Sequence, residues 1–310
     1  MSKDDNKRYL ILKDPNIYKG LFILAFPLML NNFIKTIHDI VDMYFVAQIP
    51  DRASEAITSI SVTFPVLFVF ISLGMGLGVA GTAIISQLVG SNQRDDARKY
   101  ATNLLFISVV VGILLNIVGY FGAPIIMQWM GVSGYVLEKS TAYLQIRSFE
   151  MVSVFVFYAF ISTRQADGDT VTPVIYGVLT MVFNIVLSPI FIQVLNQGVE
   201  GAAYATLLGN SILLPFILYQ LFFSKKGLTV NFKRYSPTKM VSKDLLKTAI
   251  PASTGQAITA VGFIIMNKII VNYGTETVAA FSVGNRISSL ILHPVMAIGG
   301  VLAAYIGQNI

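Results

Sequence analysis

Cysteine is absent from the 310 residues, histidine occurs twice and tryptophan once. Without thiols there are no disulfides, zinc fingers, thiol nucleophiles or Fe–S clusters, and the redox compartment is not written in the sequence. Charge is scarce as well: 12% of residues are charged against 55% hydrophobic, with a mean hydropathy of +0.69. That leaves too little polar surface to coat a soluble globule, so the chain needs lipid around it. The sequence also lacks a GxxxxGK[ST] loop, an HExxH pair and an ordered Ser-His-Asp set. His38 and His293 lie near no serine motif, so an intramembrane hydrolase would want both nucleophile and base. These absences argue against an enzyme and against a bound cofactor. A net charge of +6 would suit nucleic acid, but the basic residues sit in short segments between apolar runs, a pattern that topology explains and nucleic-acid binding does not.

What is present is a series of apolar stretches, each long enough to cross ~30 Å of hydrocarbon with about 20 residues. They fall near 19–47, 56–88, 100–122, 141–163, 172–195, 201–223, 245–272 and 277–309, which predicts an all-α integral membrane protein of about eight transmembrane helices. The shorter segment 123–133 carries Trp129 and reads as an interfacial loop. The polar N-terminal segment precedes a long apolar run with no small-residue cleavage site, so no signal peptide is expected. Sixteen Lys and Arg residues lie in the N-terminal segment and in the second, fourth and sixth loops, against only Arg52 and Lys139 in the alternate loops. The positive-inside rule then places the N-terminus in the cytoplasm of a multi-pass cell-membrane protein.

The chain repeats itself. Ala25, Phe26 and Pro27 recur as Ala249, Ile250 and Pro251, and Ser61, Val62, Gly78, Ala83, Ile85 and Gln87 recur as Ser282, Val283, Gly299, Ala304, Ile306 and Gln308. Six helices separate the copies, so both enter the membrane in the same direction as parallel repeats. The expected organisation is a cytoplasmic segment 1–18, a six-helix N-lobe 19–223, a cytoplasmic inter-lobe loop 224–244, and the first two helices of an incomplete C-lobe at 245–310. About four helices would be missing from the second copy.

Several stretches resemble the MATE (multidrug and toxic compound extrusion) transporters. They are FPLMLNNFIKTIHDIVDMYFVAQ in the first span, GTAIISQLVGSNQRDDARKYA after the second, RQADGDTVTPVIYGVLTMVFNIVLSPIFI, the following GVEGAAYAT, and IGQNI. The resemblance runs from about residue 19 to the end and is nearest to the DinF-like branch. It implies two six-helix lobes around a central cavity and exchange of H⁺ or Na⁺ for small organic, often cationic, substrates; the remaining partners are membrane lipids and the missing C-terminal helices, with no nucleic acid. By resemblance Asp42 matches the coupling acid of the first helix, where Na⁺ would also bind, and Pro27 matches the proline at which that helix bends. Asn184 and Thr206 match the supporting polar site. Ser188 stands where the DinF-like pattern has a second Asp, and no glutamate follows Pro251, so a pair of acids sharing a proton is in doubt.

At 100° per residue, Asn31, Lys35, His38, Asp39 and Asp42 share one arc of the first helix. Charges in hydrocarbon cost ~2.5–3.5 kcal/mol each on insertion scales, so this stripe should face a cavity or the lobe interior. Lys35 and Asp39, at i and i+4, can neutralise each other, whereas Asp42 has only His38 one turn back. A cavity-facing carboxylate can hold a proton or a cation but not both, and that exclusion is the core of an exchanger. Asp39 and His38 can widen the titration, although a histidine satisfied by a backbone carbonyl is the plainer reading of His38. Arg147 and Glu150 pair at i, i+3, a structural role first, with Glu150 the alternative acid. A flippase for lipid-linked precursors is the rival reading, kept alive by Lys35, Arg147, Lys268 and Arg286. Glycines in GMGLGVAG at 74–81 lie within an apolar helix and read as close helix packing.

Overall fold

Where no water is at hand, a backbone must satisfy its own polar groups, and an apolar run does so as a helix. Every regular element among the described residues is helical. The computed structural model describes residues 40–50, 52–169, 171–224, 227–285 and 287–288, with positions 22, 26, 29, 30 and 33 of the first span. Asp42–Ser282 make up one compact unit, and Met1–Val41 with Val283–Ile310 another.

The described helices are α1 (40–47), α2 (Ala53–Gly90), α3 (Arg94–Trp129), α4 (Gly134–Ser148), α5 (Met151–Ala166), α6 (Val171–Pro189, running into a π-turn at Ile190–Val194), α7 (Gly198–Ser211), α8 (Leu214–Phe223), α9 (Lys239–Val271) and α10 (275–285). Five spans among them are long and apolar enough to cross a membrane: α2, α3, α6 with its π-turn, α7 with α8, and α9. A sixth is made by α4 and α5, bent by 45° at their junction. These six coincide with the second to seventh apolar runs of the sequence; most of the first and eighth lies outside the described residues.

Segment 123–133 is not a loop through most of its length. The third helix continues to Trp129, with Ala123, Met127 and Met130 buried. Pro124 removes the amide that would have bonded the carbonyl of Tyr120, and the side chain of Gln145 supplies a donor there instead, Nε2 to oxygen at 3.2 Å. A neighbouring helix thus repairs the proline's damage, and the helix runs on. Helix α9 likewise begins at Lys239, ahead of its apolar run, because Asn103 Oδ1 accepts from the backbone N–H of Thr238 at 2.8 Å and anchors its start.

The long helix α2 forms the spine, with α3, α4, α5 and α9 packed around it. Its glycine run allows the approach: a Cβ on Gly76 would strike Ser253 Oγ and lie 2.7 Å from the carbonyl oxygen of Ala249 in α9. Apolar side chains at helical spacing on α3, including Phe106, Val110, Ile113, Ile117, Phe121 and Ile125, remain exposed. On α6 the usual pattern of a water-soluble helix is reversed, with Asn184 and Ser188 buried while Ile175, Val182 and Val186 face outward. An outward apolar face around buried polar groups fits lipid as the solvent.

Candidate functional site

Asp42 lies in α1, and Ser188 and Asn184 occupy one face of α6 a single turn apart. Ser188, fully buried, places its hydroxyl 2.6 Å from Asp42 Oδ1 and 3.0 Å from Asn184 Oδ1. One hydroxyl proton cannot be given to both acceptors at once, so Ser188 can serve Asp42 or Asn184 alternately. The π-turn follows directly after Pro189, re-aiming the end of this span beside the site. There Gln193 Nε2 donates to Gln48 Oε1 at 2.6 Å, tying the end of α1 to the π-turn.

Helix α7 closes the other side. Gly209 rests on Asn184, where an added Cβ would come within 3.0 Å of the Asn184 Cβ. Thr206, one turn earlier and buried, donates its hydroxyl to the Ala202 carbonyl at 2.9 Å. Asp42 and Asn184 are therefore joined through the Ser188 hydroxyl, and Thr206 lies on the helix that packs against α6. Pro27, His38 and Asp39, with Asn31, Lys35 and Arg286, lie outside the described residues.

A second polar cluster occupies the bend between α4 and α5. Glu150, fully buried, receives Arg147 Nε at 2.8 Å and Nη2 at 2.6 Å on one oxygen, and Asn210 Nδ2 at 3.0 Å on the other. The remaining arm of Arg147 donates to the Tyr143 hydroxyl at 2.8 Å. The expected i, i+3 pair is present, but at a helix break that the sequence did not announce. Tyr143 and Asn210 were not among the expected residues. Spacing could have found both, since Tyr143 stands four residues before Arg147 and Asn210 four residues after Thr206.

Two further cations among the described residues also have partners. Lys268 stands over the ring of Trp129, 3.8 Å from its centroid, and Lys139 meets Glu200 at 2.7 Å. Among the described residues no group of three or more His, Cys, Asp or Glu side chains is arranged to hold a metal ion. Among the described residues a Na⁺ ion at Asp42 would find the Asp42 carboxylate, the Ser188 hydroxyl and the Asn184 amide oxygen nearby, hard-oxygen donors suited to an alkali cation.

Comparison with known proteins adds the following. Residues 27–190 match the model of the family described as MatE. "Probable multidrug resistance protein YpnP" of Bacillus subtilis is 28% identical over 297 residues, covering 95% of this chain and 65% of its own length. "Multidrug export protein MepA" of Staphylococcus haemolyticus is 27% identical over 302 residues, covering 96% of this chain and 65% of its own length. Among solved structures, the outward-facing conformation of a multidrug resistance MATE family transporter of the MOP superfamily superposes with a TM-score of 0.84 at 26% identity, over 96% of this chain and 65% of that one. The chain spans about 65% of the length of the curated relatives it matches.

Proposed function

This chain belongs to the MatE family of membrane transporters, which are not enzymes, and from that premise we propose that the whole protein is a secondary active multidrug exporter in which Asp42 couples ion entry to substrate exit. One observation carries the reading: a carboxylate in an apolar span meets a fully buried serine on a facing helix, and the same serine reaches a buried asparagine. Isolated charges in such a setting are costly, and a partnered one is retained where protons or ions move.

The exchange follows from electrostatics. Ionised, Asp42 accepts the Ser188 hydroxyl and can hold Na⁺ or an organic cation; protonated, it can hold neither, and Ser188 is free to turn to Asn184. Ion uptake therefore evicts a cationic substrate from the same charge. Asp39 and His38 contribute to the titration, and Pro27 matches the proline at which the first helix of the resembling family bends. The lobes are 19–223 and a second copy beginning at 245, with both the N-terminus and the 224–244 loop cytoplasmic and the protein in the cell membrane. The flippase reading is weakened because two of its cations, Arg147 and Lys268, are engaged by Glu150 and Trp129.

The test is counterflow of a cationic dye such as ethidium in everted vesicles carrying the complete protein, driven in turn by H⁺ and Na⁺ gradients. Asp42→Asn should retain dye binding and lose ion-driven counterflow, while Asp39→Asn should cost less. Ion-driven export that survives Asp42→Asn but is lost in Glu150→Gln would move the coupling acid to the α4–α5 bend.

A further inference from the structure

Helix α9 is longer than a membrane requires. At 1.5 Å per residue its 33 residues reach about 50 Å, against ~30 Å of hydrocarbon. Between Lys247 and Lys268 it carries no charge, and that stretch, 248–267, is itself about 30 Å long. The turns before it therefore stand at the level of the lipid headgroups. There Lys239, Lys243 and Lys247 follow one another at i, i+4 and i+8, all exposed, within about 80° of arc and with a rise of about 6 Å from one to the next. Met240 and Ile250, 75% and 62% exposed, share this face. The opposite face, with Val241, Leu245 and Ala249, is buried, and Asp244 is held by the Tyr100 hydroxyl at 3.0 Å.

Arginines at the same end of the bundle are matched by carboxylates of the protein: Arg94 meets Asp167 at 3.7 Å, and Arg98 and Arg234 meet Asp95 at 3.6 and 3.1 Å. Lys239, Lys243 and Lys247 form no ion pair among the described residues. Further along the same arc of α9, Ile250, Thr254, Ile258 and Val261 line a groove of about 320 Å³ with Leu73 of α2. The hydroxyls in its wall are spent on the helix itself, Ser253 donating to the Ala249 carbonyl and Thr254 to the Ile250 carbonyl, each at 2.8 Å. What faces outward is apolar. From Lys247 to Val261 the helix rises about 21 Å, enough to follow an acyl chain through one leaflet of ~15 Å.

We propose that this face of α9 is a binding site for an anionic phospholipid, with the headgroup phosphate on Lys239, Lys243 and Lys247 and an acyl chain in the groove between α9 and α2. A compact ammonium on a flexible stem suits a headgroup phosphate, and its stem lies along apolar surface while the charge stays at the interface. A helix from the rest of the protein could fill the groove but would leave the lysines unmatched; an amphiphile accounts for both. The site does not depend on Asp42 or on which ion drives export.

The experiment places a fluorophore on Ile258→Cys, as the sole cysteine of the complete protein, in phosphatidylcholine vesicles that contain either phosphatidylglycerol or phosphatidylcholine with brominated acyl chains. Brominated phosphatidylglycerol should quench more strongly than brominated phosphatidylcholine at the same mole fraction. Lys243→Gln should reduce that preference by up to about fivefold, the effect of one lysine at an anionic surface. K239Q/K243Q/K247Q should abolish it, and the corresponding triple change to arginine should keep it. Lys233→Gln, an equally exposed lysine off the stripe, should leave it unchanged. Should the labelled Ile258→Cys protein fail to fold, Val261→Cys reports on the same groove. Absence of quenching by either lipid would mean that protein covers the groove, and equal quenching by both would mean that the lysines select nothing; either overturns the proposal. So would a loss in Lys233→Gln as large as in Lys243→Gln, which marks diffuse charge, or loss of the preference on adding inorganic phosphate at constant ionic strength, which marks a site for free phosphate.

Discussion

A serine at 188, where the DinF-like pattern carries an aspartate, changes what Asp42 requires. Two facing carboxylates share a proton, whereas a serine offers one donor to one charge. Hydrogen bonds to charged groups are worth about 1.5–3 kcal/mol, so Ser188→Ala should weaken the ionised form of Asp42 and raise the pH midpoint of ion-driven export by about one unit or more. Ser188→Asp should restore a two-acid response, seen as a broader pH profile for export. Gly209→Ala tests the other wall: its new methyl would crowd Asn184, and overpacking costs about 1–3 kcal/mol. A lowered thermal midpoint in detergent is the expected result, and combining it with Asn184→Ala should not recover it, because the contact is with the Asn184 Cβ and backbone that alanine keeps. Asp42 stood out in the sequence as a charge in an apolar span, whereas Asn184 and Thr206 entered only as matches to the MATE resemblance. Tyr143 carried only the signal of its spacing, four residues before Arg147, and that its hydroxyl accepts from Arg147 is seen only in the structure.

At the scale of elements, the glycines of the second span have different environments although they look alike in sequence. Gly76 faces the backbone and Ser253 of α9, whereas Gly90 meets nothing within 4 Å. Gly76→Ala should therefore lower thermal stability by an amount equivalent to about 1–3 kcal/mol, while Gly90→Ala should be neutral or slightly stabilising, as expected for a freely accommodated helical alanine. Equal effects at both positions would mean that α9 does not rest on α2 in the membrane. The same distinction explains the segment at 123–133. Its short length and Trp129 suggested an interfacial loop, but a donor from Gln145, 25 residues away in sequence from the Tyr120 carbonyl, lets the helix continue. Local propensity cannot anticipate a repair made by another helix.

At the scale of the whole molecule, the stretch after α8 is stitched to the first turns of α3. Asn103 is fully buried and holds Thr238; Thr102 accepts from the Asn231 N–H at 3.2 Å; Asp95 receives Arg234 and Tyr235 at 3.1 and 2.9 Å; and Tyr100 donates to Asp244 at 3.0 Å. Asn103→Ala removes the acceptor at the start of α9, and the connection should become several-fold more sensitive to trypsin at Lys233 and Arg234 while α3 itself stays intact. The surface pairs at Asp95 are each worth little, so Asp95→Asn should have a much smaller effect. Because the chain has no cysteine, single cysteines report topology without background: Lys225→Cys should label from the cytoplasmic side and Lys139→Cys from the opposite side. Labelling of Lys225→Cys from outside would overturn the orientation drawn from the lysine and arginine distribution.

The sequence by itself determined that the protein is helical and needs lipid and where its described spans fall, because hydrocarbon length and the cost of buried charge are properties of the linear chain. It also determined which few polar residues were candidates for a site. The tertiary structure decided how those residues are used. That Ser188 stands between Asp42 and Asn184, that Arg147 serves Tyr143 as well as Glu150, and that the fourth span bends by 45° where this pair sits all depend on side chains meeting across helices. A helical period ranks the residues of one helix by face, but the hydrogen bonds that give a buried carboxylate its chemistry come from other helices, and their rotation and depth are set only when the bundle packs.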